Sequence, residues 1–179
     1  MKTITLLILP ALFAIAVAST SRVAPPAAIA PIPTAAQQAW QQLEYYAFIH
    51  FGMNTFTDHE WGEGRANPGL FNPSALDCRQ WARVARAAGM RGIIITAKHH
   101  DGFCLFPSAE ANRDWGRPWN AVDIGPRRDL LGDLSAAVRK AGLKMGFYYS
   151  LYEWFNPLWI SDRGLYVEKH MMPQFKDVV

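Results

Sequence analysis

Three short apolar runs recur along the sequence, and each ends in polar or aromatic residues. Tyr45 to Gly52 carries Phe48 and Ile49 up to His50. Ile93 to Thr96 delivers Lys98, His99, His100, Asp101 and Gly102, and Lys144 to Ser150 delivers Tyr148 and Tyr149. Unbroken apolar runs of this length, without polar alternation, predict strands buried on both faces. Between them the apolar spacing changes to that of a helix. Trp81, Val84, Ala85 and Ala88 stand at i, i+3, i+4 and i+7, which predicts one buried face ended by Gly89. Ser74 to Asp77 fits a capping box in front of that helix. Leu130, Leu134, Val138 and Ala141 repeat the pattern, with Asp129 near the start and Gly142 as the stop. A short helical lead-in is expected at Gln37 to Leu43, and a further amphipathic helix from Tyr166 to Val179.

The two central units are copies of one plan. Arg86-Ala87-Ala88-Gly89-Met90-Arg91 resembles Arg139-Lys140-Ala141-Gly142-Leu143-Lys144, 53 residues later. Repeated helix–glycine–strand units predict an α/β fold with parallel strands, either a (β/α) barrel or an open doubly wound sheet. No Gly-x-Gly-x-x-Gly follows any strand, which weighs against a dinucleotide-binding sheet. The expected fold is therefore a (β/α) TIM-barrel-like domain. Such barrels typically need about 250 residues, so residues 37–179 are expected to hold only its N-terminal portion, about the first three βα units. The long connection from Lys98 to Arg128 shows no periodicity, and structureless loops of that length in compact domains are usually functional.

Composition narrows the classes. The chain of 179 residues is 50% hydrophobic and 18% charged, with a formal charge of +3, as globular chains are. Its longest basic run is Arg127-Arg128, too short for the basic face that nucleic-acid binding uses. Met1-Lys2, the apolar stretch Ile4–Val17 and the small residues Ala16-Val17-Ala18 read as a signal peptide over residues 1–18. That stretch is too short for a membrane span, so export is expected, to a periplasmic, secreted or lysosome-like compartment. Residues 19–36 read as a Pro/Ala-rich tether. Cys78 and Cys104 are the only cysteines, and an oxidising destination permits a disulfide between them without requiring one.

The candidate chemistry gathers at the strand ends. Parallel α/β folds place ligands beyond the carboxyl ends of their strands, where this sequence has His50, His99, His100, Asp101 and Lys98. Glu60 and Trp61 lie on the loop after the first strand. Neutral donors and acceptors beside aromatic rings are how proteins hold sugars, the ring stacking on the apolar sugar face while imidazoles and carboxylates meet hydroxyls. Zinc is the competing reading for His50, His99, His100 and Asp101. Yet the spacing lacks His-x-His or His-x-x-x-His, and adjacent histidines on a strand diverge. Glu60 is either a solvated loop carboxylate or a hydroxyl partner and proton donor; Trp61 is either packing or part of a stacking wall. Of Tyr148 and Tyr149 only one can face the interior, and Tyr149 is the expected one. No Gly-x-Ser-x-Gly elbow is present, which weighs against a serine hydrolase.

Taken together, Phe48-Ile49-His50-Phe51-Gly52, Glu60-Trp61, Thr96-Ala97-Lys98-His99-His100-Asp101-Gly102-Phe103-Cys104, Arg128-Asp129-Leu130 and Gly146-Phe147-Tyr148-Tyr149-Ser150 resemble the exo-acting α-L-fucosidases of glycoside hydrolase family 29. The resemblance runs from about residue 45 to 179 and implies a barrel-like catalytic domain that removes terminal fucose from glycans with retention of configuration. It implies no metal or organic cofactor. It assigns His50, Glu60, Trp61, His99, His100 and Tyr149 to sugar binding. Retaining enzymes use two carboxyl groups about 5–5.5 Å apart. The family's nucleophile is an aspartate on a strand after the helix near Tyr166, with its acid/base glutamate later still. The resemblance therefore places both beyond Val179, and neither has a counterpart in residues 1–179. Asp162 and Asp177 do not match the motif, and Glu60 is the one acid/base candidate. The chain alone is expected to lack turnover. The alternatives are a non-catalytic fucose-binding module and a metal-dependent barrel hydrolase.

Overall fold

The protein was analysed as a computed structural model that describes residues 23–179. The signal peptide expected at 1–18 lies outside the described residues. The chain divides into two units, residues 1–34 and 35–179. In the first, residues 23–34 are exposed and contain no helix or strand.

The second unit is built on three parallel strands, β1 (Ala47–Ile49), β2 (Gly92–Lys98) and β3 (Lys144–Tyr149), whose spatial order is their chain order. Ala47, Ile93 and Met145 align across the sheet, as do Ile49, Ile95 and Phe147. These two rows point to the helical layer, because side chains alternate along a strand. The opposite face carries Phe48, Ile94 and Tyr148, and Phe48 remains 54% exposed. Around the sheet run α1 (Ala35–Gln41), α2 (Asn54–Thr57), α3 (Cys78–Ala87), α4 (Ala109–Trp115), α5 (Leu130–Lys140), α6 (Pro157–Ser161), α7 (Arg163–Tyr166) and α8 (Met172–Val178).

The repeated glycines do what their spacing predicts. Gly89 and Gly142 adopt φ of +80° and +74°, the left-handed region that only glycine enters without strain. Each closes its helix with the same pair of hydrogen bonds, Met90 N to Ala85 O and Gly89 N to Arg86 O in α3, Leu143 N to Val138 O and Gly142 N to Arg139 O in α5. The two turns then meet, since the Arg86 guanidinium donates to Ala141 O at 2.7 Å.

Several boundaries differ from the pattern-based expectation. β1 is three residues long because Tyr45 and Arg91 join through a single backbone bond (2.7 Å) outside the ladder. The cap of α3 is Asp77, whose carboxylate accepts from Arg79 N at 2.9 Å, not a Ser74 capping box. With the helix starting at Cys78, its buried face is Cys78, Ala82 and Ala85, and Val84 is 59% exposed. The long connection is not structureless. It contains α4, capped by Ser108 Oγ accepting from Ala111 N, and Cys104 pairs with both Lys98 and Asn120.

The last helix begins at Arg163, before Tyr166, capped by Asp162. It passes through a π-helical turn at Val167–Met171 into α8. The expected helix from Tyr166 to Val179 is thus three joined pieces, and it stops one residue early: α8 ends at Val178, and Val179 is its exposed C-cap. Pro173 has no N–H for the carbonyl of Lys169, four residues back; Arg113 supplies the donor instead, at 2.8 Å. Cys78 and Cys104 are free, buried thiols, and burial pushes both upward in pKa.

The core lies between sheet and helices, with Leu130, Leu134 and Val138 of α5 packed among Ile93, Ile95, Phe103 and Leu105. Leu134 is fully buried at its centre. Leu134→Ala should cost about 2–5 kcal/mol, read as a shift in the urea midpoint of the intact protein. A loss under about 1 kcal/mol, the range of surface changes, would contradict this packing.

Candidate active site

β1 and β2 are adjacent and parallel, so the residues following them meet at one end of the sheet. His50 and His99 lie with ring centroids 4.4 Å apart, and His99 and His100 are also 4.4 Å apart, tilted by 50°. The adjacent histidines do not diverge as strand neighbours would. β2 has ended at Lys98 and the chain is already turning. All three imidazoles therefore share one cluster.

Their hydrogen bonds assign donors and acceptors. His99 Nδ1 lies 3.0 Å from Glu60 O; a carbonyl only accepts, so Nδ1 carries the proton and Nε2 of the neutral ring is an acceptor. The amide of Asn54 lies 3.3 Å from His50 Nδ1, which leaves His50 Nε2 as a donor. His100 Nδ1 is buried and has no partner within the protein. Burial, reinforced by the neighbouring His100 and His50, lowers the His99 pKa to about 4. Burial lowers that of His100 as well, with Lys98 adding to it. His99 is thus a neutral group at neutral pH.

Aromatic rings line the cluster. His100 stacks on Tyr152 at 4.6 Å and 19°, and Trp154 meets His100 at 6.1 Å and Trp61 at 6.4 Å. Trp61 and Glu60 are exposed on their loop, which touches the cluster through the Glu60 carbonyl. Tyr148, not Tyr149, is the tyrosine beside His99, with ring centroids 5.9 Å apart. Tyr149 lies on the opposite face of β3, where its hydroxyl donates to Gln174 Oε1 at 2.6 Å and Lys98 Nζ sits 4.1 Å over its ring. Asp101 also turns away. Its carboxylate accepts from Phe103 N at 2.9 Å, and it borders a separate cavity of about 300 Å³ with Met53, Phe56 and Trp119. Burial raises its pKa to about 7 against that hydrogen bond. Among the described residues no group of three or more His, Cys, Asp or Glu is placed to hold a metal ion.

The catalytic carboxylates expected beyond Val179 lie outside the described residues. Neither aspartate near the end of the chain stands in for the nucleophile at a strand end. Asp162 is taken up in capping α7, its carboxylate accepting from Leu165 N at 2.9 Å, and Asp177 lies on α8.

Beneath the histidines lies a buried network that no sequence pattern announced. Glu153 Oε1 accepts from Lys98 Nζ at 2.8 Å and meets His170 Nε2 at 2.6 Å. Its other oxygen accepts from Trp115 Nε1 at 3.1 Å and Asn156 Nδ2 at 2.9 Å. His170 Nδ1 reaches Asp114 Oδ2 at 2.6 Å, and the Tyr166 hydroxyl lies 3.4 Å from Lys98 Nζ. Burial alone would raise the Glu153 pKa, but the Lys98 charge and the His170 contact outweigh it and hold the group ionised. Gly102 makes room for this arrangement. At φ +75° a Cβ there would stand 2.9 Å from Trp115 Nε1 and overlap the Glu153 carboxylate. The one available signal was the spacing of Tyr166, His170 and Gln174, polar-tipped residues at i, i+4 and i+8 on one helical face.

Residues 34–179 match the family model of α-L-fucosidases. The chain belongs to the α-L-fucosidase family. It is 42% identical over 125 residues to Alpha-L-fucosidase 1 of Arabidopsis thaliana, covering 70% of this chain and 24% of that protein. It is 32% identical to human tissue alpha-L-fucosidase over 97% of this chain and 44% of that protein. A crystal structure of a glycoside hydrolase 29 family member from an unknown rumen bacterium superposes with a TM-score of 0.64 at 49% identity, covering 72% of this chain and 23% of that one. SpGH29 superposes with a TM-score of 0.71 at 38% identity, over 82% and 32% respectively. This fucosidase-family chain therefore spans about a quarter of the length of the first curated relatives it matches, 28% and 24%.

The depressed His99 pKa makes stability depend on pH with a definite sign. The folded value of about 4 lies below the ordinary 6.5, so the neutral ring's contribution is complete above about pH 6.5 and is lost as pH falls through 4. Asp101, raised from 3.8 to about 7, works in the opposite sense: its contribution is complete below 3.8 and is lost as pH rises through 7. Unfolding free energies of the intact protein and of His99→Gln should therefore differ by a pH-dependent amount between 4 and 6.5. A difference constant across that window contradicts the assignment.

Proposed function

We propose that the protein is an exo-α-L-fucosidase that removes terminal α-L-fucose from glycans or glycoconjugates, and that the histidine cluster is its fucose pocket. One observation carries the reading: three imidazoles with complementary free positions, of which His99 is held neutral, inside an aromatic wall at the ends of adjacent parallel strands. His50 Nε2 donates to a sugar hydroxyl and His99 Nε2 accepts from one. Trp154, Trp61 and Tyr148 face the apolar side of the ring and its methyl group. A neutral imidazole can exchange donor and acceptor roles with hydroxyls, whereas an imidazolium can only donate.

On this reading the three strands are part of a closed (β/α) barrel, and the Phe48, Ile94 and Tyr148 face is its interior. Hydrolysis proceeds with retention through two carboxyl groups about 5–5.5 Å apart. Glu60 is the acid/base candidate within the chain. The resemblance assigns the nucleophile to an aspartate on a later strand and the alternative acid/base to a glutamate later still. The leader pattern of Met1 to Ala18 supports action outside the cytoplasm.

In the intact protein, His99→Ala should lower kcat/KM on a 4-nitrophenyl α-L-fucoside by about 10–100-fold, the scale of a lost hydrogen bond with its partner left unpaired. Unchanged kinetics would remove His99 from the pocket. Saturable fucose binding without turnover by the intact protein would replace the hydrolase with a fucose-binding module. Near-normal rates for Glu60→Gln on aryl and natural fucosides would end its acid/base candidacy.

A further inference from the structure

The buried network beneath the histidines is larger than a core needs. Lys98, Glu153 and His170 are completely buried, and the Asp114 side chain nearly so. Ionic groups taken out of water at such a site do not stabilise more than apolar residues of equal volume would. Their placement is more informative than their energy. Lys98 immediately precedes His99, and Glu153 stands between Tyr152 and Trp154. Trp115 and Asp114 come from α4, and His170 from the π-helical turn. Four separate segments thus converge on one carboxylate directly behind the proposed pocket.

The hydrogen-bond count closes on itself. A carboxylate accepts about four bonds, and Glu153 has four partners: Lys98, His170, Trp115 and Asn156. Both His170 nitrogens face carboxylate oxygens at 2.6 Å; these only accept, so the ring satisfies both when it carries both protons. Asp114 is further held by Arg113 Nε at 2.6 Å. Four bonds hold the Glu153 carboxylate, and through it the segment that carries it. Its neighbours are fixed in turn: Trp154 N donates to His100 O at 3.0 Å, and Ser150 N to Lys98 O at 3.1 Å.

We propose that Glu153 and His170 are positioning residues, which lock the Tyr152–Trp154 segment against His100 and so set the wall of the sugar pocket. The proposal rests on the fucosidase reading for its effect on kinetics, but not for its structural content. His170 ties the wall to the last helix, and it reaches the pocket only through Glu153. Glu153→Gln is the obvious variant, and it would set an amide N–H against the indole and amide donors of Trp115 and Asn156, threatening the fold itself. His170→Phe is gentler. It preserves an aromatic ring against Tyr166, with which His170 stacks at 5.0 Å, and leaves Glu153 three donors and Asp114 its arginine.

The test compares His170→Phe, His170→Gln and the core variant Leu134→Ala in the intact protein, well below their melting temperatures. The readouts are KM and kcat on an aryl α-L-fucoside and the near-ultraviolet circular dichroism of the aromatic wall. A loosened wall should raise KM in His170→Phe by on the order of tenfold and weaken the aromatic signal, with far-ultraviolet helicity unchanged. His170→Gln retains one donor toward Glu153 and should fall between, and it decides the matter if the phenylalanine variant does not fold. Leu134→Ala loses stability without moving KM. If both His170 variants match Leu134→Ala in KM and aromatic signal, the positioning role is overturned. If the unsubstituted protein neither cleaves nor binds fucosides, the functional reading falls, and the circular dichroism comparison alone decides the positioning.

Discussion

The ionised carboxylate of Glu153 is the fixed point around which the strand ends are arranged. Lys98 reaches it from β2, Trp115 from the connection after β2, Asn156 from the segment following β3, and His170 from the last helix. A buried carboxylate without these donors would cost several kcal/mol or take up a proton. The requirement to satisfy it therefore ties β2, α4 and the last helix to the segment that carries Glu153 and Asn156. Gly102 shows the same constraint from the other side, because only a residue without a side chain fits between this carboxylate and the Trp115 indole.

The pocket above follows from that floor. His99 and His100 leave β2 immediately after the buried lysine, and the loop bearing Glu60 and Trp61 is stitched to His99 by its own backbone carbonyl. Desolvation then keeps His99 uncharged across neutral pH. On the proposed reading the two layers have different tasks: the lower fixes geometry, and the neutral His99 above meets neutral hydroxyls without the electrostatic penalty that a charged group would bring to an uncharged ligand.

Much of this was legible in the sequence, for identifiable reasons. The Gly89 and Gly142 repeat located both helix ends because a left-handed turn at that place demands glycine. His50, His99 and His100 could be grouped from the sequence because parallel strands deliver their next residues to a common edge, and their rings do meet there. Tyr149 was expected beside the histidines, but Tyr148 stands there, because alternation is a one-residue matter and the register between β2 and β3 shifts between Thr96 and Lys98. Helix α4 was missed because its seven residues are too few to show a period. The stretch from Tyr166 to Val179 reads as one helix because a π-helical turn changes the hydrogen-bond spacing without breaking the apolar pattern. Glu153, Asp114 and His170 were invisible as a set. They lie 17 and 56 residues from their partners, and a lone carboxylate past a strand looks like any solvated loop residue.

The most direct test of the account is a crystal structure of the intact protein with L-fucose. The account predicts the sugar over the three histidines, with hydroxyls within about 2.7–3.2 Å of His50 Nε2 and His99 Nε2 and the apolar face against Trp154. Fucose bound elsewhere, or a histidine cluster that remains empty at saturating sugar, would contradict it.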